Sequence, residues 1–282
     1  MSDKMKNLIV RTITGVIFVA AIVACFLKFE TMVLLFAIIT GLTLWEFSGL
    51  VNEWDDIEVN RFISTVAGVY LFLAMAGYCM KITDATAFIP YLITIIYLFI
   101  AELFTKAPNP VNNWAYTMMG QMYIALPFST INVLAFQTGG EGTYNQLLPL
   151  SLFIFLWVND TGAYCTGSLF GKHKLFPRVS PGKSWEGSIG GAVFVMVAAA
   201  IIGWLSGDTH PEISIPVWMG LGLVVVVFGT LGDLVESLFK RTLGVKDSGS
   251  ILPGHGGMLD RFDSSLMAIP AAVIYIYSLS LF

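Results

Sequence analysis

Charge is scarce in this chain. Asp, Glu, Lys and Arg make up 12% of its 282 residues, about half the roughly 25% of soluble domains, and this excludes a water-soluble globule. Cysteine is sparser still. Cys25, Cys79 and Cys165 stand alone in separate apolar segments, which argues against both a disulfide framework and a zinc centre. No motif repeats at solenoid spacing and no low-complexity tail appears. Polar stretches are too short to build a sizeable domain outside a membrane.

Long apolar runs are what the chain does have. Roughly 17 to 25 apolar residues cross a bilayer as a helix, and polar breaks divide the sequence into about nine such runs: 11–28, 31–51, 62–80, 87–105, 115–136, 147–170, 187–206, 216–240 and 264–281. The predicted fold is therefore all-α, a polytopic integral membrane protein forming one membrane domain over 1–282. Residues 1–146 read mainly as scaffold helices. Residues 147–282 read as the catalytic half, with loops near 171–186 and 241–262. The first run follows Lys4, Lys6 and Arg11 and lacks a small-residue cleavage site, so it reads as a retained helix rather than a secretory signal.

Orientation follows from the placement of Lys and Arg, not from the net charge of -4. With the amino terminus in the cytoplasm, all of the 15 cations except Lys28 and Lys81 fall on one side. Both long basic loops then face the cytoplasm, where nucleoside triphosphates are found.

Polar chemistry gathers from Asn159 onward. Asp233, Glu236, Ser237 and Lys240 are spaced i, i+3, i+4 and i+7, one stripe of a helix. The apolar run before them rises about 26 Å at 1.5 Å per residue, which sets Asp233 near the inner boundary of the hydrocarbon, at the depth of a phospholipid phosphate. An ionised side chain deep in a bilayer costs roughly 2.5 to 3.5 kcal/mol, so an acid stripe running into Lys240 and Arg241 calls for a function. The following loop is rich in glycine and ends in Asp260, Arg261, Phe262 and Asp263. Its glycines let the backbone approach a ligand. Carboxylates with open oxygen positions suit Mg²⁺, with Asp233 and Asp260 as the main ligands and Asp263 as a third. An Asp at a helix start also serves as a cap. His255 reads equally as a phosphate donor or a structural histidine.

A second constellation runs from Asn159 to Gly187. About 18 Å of apolar helix precedes Asn159 and Asp160, which leaves both below the membrane surface and implies a polar cavity that Thr161 and Tyr164 extend. Ser180 followed by Pro181 reads as a cap and first helical position. Gly182 and Lys183 are then expected in the opening turn of the next helix, a ready anion site. A P-loop is excluded, because Pro177 stands where that motif needs glycine and no strand is expected ahead of it.

The string Ser237, Leu238, Phe239, Lys240, Arg241, Lys246, Asp247, Gly249, Leu252, Pro253, His255, Gly256, Gly257, Met258, Asp260, Arg261, Phe262, Asp263 resembles the signature of the phosphatidate cytidylyltransferases. The stretches Asn159 to Tyr164 and Ser180 to Gly187 look like what that family carries upstream. The resemblance is specific over about 159–191 and 230–264 and is confined to hydropathy elsewhere. It implies an Mg²⁺-dependent reaction of CTP with phosphatidate, giving CDP-diacylglycerol and pyrophosphate for phospholipid biosynthesis. On matched positions it implies metal binding by Asp233, Asp260 and Asp263, and phosphate contacts by Lys240, Arg241, Lys246 and Arg261, with Ser237 and His255 beside them. Nucleotide contacts fall to Ser180, Lys183, Ser184, Asn159 and Asp160. The expected partners are CTP, phosphatidate and the bilayer of a bacterial-type inner membrane. Nothing points to nucleic acid, and a homodimer is compatible with the family. A CTP-dependent lipid kinase, which moves the γ-phosphate and releases CDP, is the nearest alternative. An ion-coupled transporter is disfavoured by the clustering of cations on one side.

Overall fold

Helices carry most of the chain in the computed structural model, which describes residues 3–136, 143–210, 213–249, 251 and 256–280, with side chains from Thr14 to Leu279. In order these are α1 (Asp3–Phe26), α2 (Phe29–Val51), α3 (Arg61–Cys79), α4 (Ile89–Ala101), α5 (Pro110–Gly120), α6 (Leu126–Phe136), α7 (Leu147–Phe170), α8 (Trp185–Leu205), α9 (Ile215–Thr242) and α10 (Leu259–Ser280). Among the described residues, seven helical stretches are long and apolar enough to cross a membrane: α2, α3, Pro110–Phe136, α7, α8, α9 and α10. The expected runs 11–28 and 87–105 correspond to the shorter apolar helices Thr14–Phe26 and Ala85–Ala101. The protein is all-α and polytopic.

Between α5 and α6 the helix widens into a π turn at Gln121–Ala125. The Leu126 N–H donates to the Gln121 carbonyl, five residues back, the π geometry. Pro127 accounts for its position, since a proline inside a helix has no N–H to give and crowds the carbonyl four residues earlier.

The chain divides into two units, Met1–Gln146 with Thr242–Phe262 and Leu147–Arg241 with Asp263–Phe282. In the first, α2 packs on α3 and α3 on α6. Its core is an aromatic knot around Phe262, whose ring lies 5.7 Å from those of Phe18 and Phe128 and 6.2 Å from that of Phe36. Phe36, Phe128 and Phe262 are almost fully buried. The signature residue Phe262 thus fastens its loop to the scaffold, with edge-on ring pairs contributing about 0.5–1.5 kcal/mol each beyond burial. Tyr144 closes the same unit, its hydroxyl donating to the Phe26 carbonyl at 2.7 Å. Burial pushes this phenol up from its ordinary range, so it remains a donor.

In the second unit α7 and α8 pack along a seam of small residues. A Cβ on Gly191 would stand 2.8 Å from the Asn159 carbonyl oxygen, so only glycine allows this approach. Between helices in lipid, such van der Waals contact takes the place of hydrophobic burial. Thr166 Oγ1 spans the seam, donating to the Gly162 carbonyl in its own helix at 2.7 Å and to the Gly187 carbonyl of α8 at 3.3 Å.

Ahead of α8 lies an antiparallel hairpin, β1 (Lys174–Phe176) and β2 (Ser180–Ser184), pairing Lys174 with Ser184 and Phe176 with Ser180. This corrects two expectations. A strand does precede Gly182 and Lys183, and Ser180 is not the cap. The cap is Ser184, whose Oγ accepts from the Gly187 N–H at 3.2 Å. Pro181, which cannot donate to a ladder, is tolerated on an edge strand, so it does not force a helix start. The P-loop remains excluded, because Lys183 lies on the strand and not in the first turn of the helix.

Candidate functional site

Three elements converge within the second unit. Midway along α7, Asn159 and Asp160 interrupt the apolar run, β2 carries Lys183, and the second half of α9 carries Asp233. Together they line a cavity of about 330 Å³, with Tyr164, Ser188 and Thr230 in its wall.

Lys183 Nζ stands 2.5 Å from Asp233 Oδ2, with both side chains about one quarter exposed. Partial burial keeps this pair from the full screening of an exposed bridge, which contributes roughly 0–1 kcal/mol. Ser237, one turn along α9, donates from Oγ to Asp233 Oδ1 at 3.2 Å. Both carboxylate oxygens of Asp233 are therefore oriented by neighbours. Glu236 is fully buried and pairs with Lys240 Nζ at 2.8 Å, and the lysine side chain is only 12% exposed. The predicted stripe exists, with its members tied into two pairs.

Asp263 joins this group from the first turns of α10. It lies in the electrostatic field of Asp233, Asp160 and Lys240. Gly232 explains the closeness: a Cβ there would stand 2.8 Å from the Asp263 carbonyl oxygen, so α9 and α10 touch backbone to backbone one residue from Asp233. Four carboxylates, Asp160, Asp233, Glu236 and Asp263, thus share a region with two ammonium groups, Lys183 and Lys240. Among the described residues no three His, Cys, Asp or Glu side chains form a ready-made metal cluster.

The remaining predicted site residues are divided between the two units. Ser184 borders the cavity, but its hydroxyl is engaged as the helix cap. Ser180 is half-buried on β2 and Arg241 is exposed in the last turn of α9, where a cation complements the helix dipole. Lys246, Asp260 and Arg261 belong to the first unit. There Lys246 and Arg261 are exposed, and Asp260 Oδ2 accepts from the Ser248 and Gly257 N–H groups at 2.9 and 2.8 Å. His255 lies outside the described residues.

Two acids escaped assignment from sequence. Glu186, in the first turn of α8, accepts from the Lys172 and His173 N–H groups at 3.2 Å, and its Oε1 lies 2.6 Å from His173 Nδ1. It folds the basic loop back onto the helix that bears the cap. Glu46, on α2, is 6% exposed, yet it sits in the half read as scaffold. An acid in the apolar body of α2, sixteen residues after Glu30, was the available signal.

Residues 9–279 match the model of the cytidylyltransferase family. The chain is 34% identical over 264 residues to a phosphatidate cytidylyltransferase of Staphylococcus aureus (strain COL), covering 93% of this chain and 96% of that one. It is 32% identical over 275 residues to a phosphatidate cytidylyltransferase of Haemophilus influenzae, covering 92% and 95%.

Proposed function

The chain belongs to the cytidylyltransferase family, and from that premise we propose that this membrane enzyme transfers the cytidylyl group of CTP to phosphatidate, giving CDP-diacylglycerol and pyrophosphate. The observation that carries the reading is the polar cavity between α7, β2 and α9, with the Lys183–Asp233 pair in its wall. A phosphate oxygen of the lipid attacks the α-phosphorus of CTP. The bond from that phosphorus to the bridging oxygen breaks, and pyrophosphate departs. The nucleophile is already an anion, so no covalent enzyme intermediate is required.

The residues fit Mg²⁺ as the partner ion. Carboxylates outnumber ammonium groups around the cavity, all the candidate ligands are hard oxygens, and Mg²⁺ is commonly held by one or two carboxylates plus substrate phosphates. Asp233 and Asp263 would hold it, and when bound it would neutralise charge on the polyphosphate. Ser237 orients Asp233. Lys183 offers an ammonium to the nucleotide phosphates and Glu236 holds Lys240 in place, both positioned before charge develops.

Purified protein supplied with phosphatidate, Mg²⁺ and CTP labelled in the cytidine is expected to yield labelled lipid and free pyrophosphate. Lipid labelled only from the γ-phosphate, with CDP released, would replace this reading with a kinase.

The cation bias supports a cytoplasmic amino terminus and a cavity open to the cytoplasm. Lys174→Cys is then expected to react with a membrane-impermeant maleimide in inverted vesicles and not in intact cells. The opposite pattern would reverse the orientation.

Asp260 receives its own test as a ligand. Asparagine keeps an oxygen for the Ser248 and Gly257 N–H groups but removes the charge. Asp260→Asn is expected to lower kcat by roughly a hundredfold, the scale of losing one electrostatic group at a reacting centre. Activity within about twofold of wild type would leave Asp260 with loop fastening alone.

A further inference from the structure

We propose that Glu46 is the positioning residue of the signature loop, holding both of its described ends from a helix that carries no other part of the motif. Glu46 Oε1 accepts from the Ser248 hydroxyl at 3.2 Å, and its Oε2 accepts from the Leu259 N–H at 3.0 Å. One carboxylate thus ties together residues eleven apart in sequence. Ser248 passes the connection on, because the Asp260 N–H donates to Ser248 Oγ at 3.3 Å while Asp260 Oδ2 takes the Ser248 N–H. Glu46, Ser248 and Asp260 form a chain of hydrogen bonds through Ser248, and the exposed Lys246 and Arg261 stand next to it in sequence.

The glycines agree. A Cβ on Gly249 or on Gly257 would overlap Glu46 Oε1. Neither has a positive φ, unlike Gly244 and Gly256 at 74° and 82°. Gly249 and Gly257 are therefore bare because the carboxylate occupies the space beside them. The sequence reading gave that room to a ligand.

Arg61 stands in the field of Glu46. Its Nε donates instead to the Trp45 carbonyl at 2.6 Å, and its guanidinium lies 4.0 Å over the Trp45 ring. The loop, and not a paired arginine, accounts for the hydrogen bonds Glu46 makes. A buried acid in an apolar helix is expensive, and these donors offset that cost only while the loop stays seated.

Glutamine is close to isosteric here. Its Oε1 can accept from the Leu259 N–H while its amide donates to Ser248 Oγ, which has two lone pairs. Alanine offers neither.

The kinetic half of the test rests on the cytidylyltransferase reading, and the structural half does not. By hydrogen exchange in detergent or nanodisc, Glu46→Ala is expected to speed exchange at Ser248, Gly249 and Leu259 by roughly tenfold or more, a local opening. α3 should stay unchanged and Glu46→Gln within about threefold of wild type. With CTP and phosphatidate, Glu46→Ala is expected to lower kcat with little change in KM, Glu46→Gln to recover most of it, and the loss to shrink in a Lys246→Ala background. Unchanged loop exchange in Glu46→Ala would overturn the proposal. So would equal acceleration across α3 in both variants, or strict additivity with Lys246→Ala. A wild-type protein that makes no CDP-diacylglycerol would refute the proposed reaction, while the exchange pattern would still decide the role of Glu46.

Discussion

Asp233→Asn is expected to reduce kcat by about a thousandfold, the upper range for removing one preorganised electrostatic group, with the protein still inserted and folded. The substitution is nearly isosteric. It keeps an oxygen for the Ser237 hydroxyl, so the local hydrogen bond survives, and it removes the charge that Lys183 faces at 2.5 Å. Two losses then coincide. The proposed metal loses a ligand, and Lys183 loses the partner that fixes its ammonium. Raising Mg²⁺ separates them, because a weakened metal site recovers part of its rate at high ion concentration and a misplaced lysine does not. Lys183→Ala made in the Asp233→Asn background is expected to cost far less than in wild type, since residues of one network are not additive. Wild-type turnover in purified Asp233→Asn would remove this carboxylate from the chemistry.

The second large effect concerns the seam that builds the cavity. Gly191→Leu places a branched side chain where the Asn159 carbonyl and side-chain oxygens already lie within 2.8 Å of a Cβ position. Neither atom gives way easily, since one is backbone and the other belongs to a buried residue. Overpacking a close helix contact costs roughly 1–3 kcal/mol or more. Here it also parts α7 from α8, moving Asn159 and Asp160 away from Lys183. A fall in melting temperature of several degrees, together with loss of activity, is the expected result. Gly191→Ala should fall between the two. A Leu variant as stable and active as wild type would mean that the two helices do not depend on this contact.

The polar inventory of the site was legible from spacing and hydropathy. Asp233, Ser237 and Lys240 fall on one helical stripe because 3.6 residues complete a turn, and Asn159 with Asp160 stand out because nothing apolar explains them. What spacing does not encode is which partner each charge finds. Lys183 was expected in a helical turn, since Ser180–Pro181 carries the local chemistry of a helix start. The hairpin prevailed because Ser184 supplies a second cap four residues later and Glu186 draws the Lys172 and His173 amides back toward it. The role of Glu46 was hidden for a related reason. Its partners lie more than two hundred residues away, beyond the reach of any local pattern. The loop glycines stand out in the sequence, but at Gly249 and Gly257 the cause is a side chain from α2.

The widened turn at Gln121–Ala125 has a consequence for the stretch Pro110–Phe136 as a whole. Each residue advances an α-helix by about 100°, so accommodating one additional residue in a single turn rotates everything after it by about that angle relative to an unbroken helix. Faces that a simple wheel would align are therefore out of phase on either side of Tyr123. Shortening this turn by one residue would restore regular winding, at the expense of swinging either the Gln121 amide from Ser64, to which it now donates at 2.8 Å, or Phe128 from the ring of Phe262.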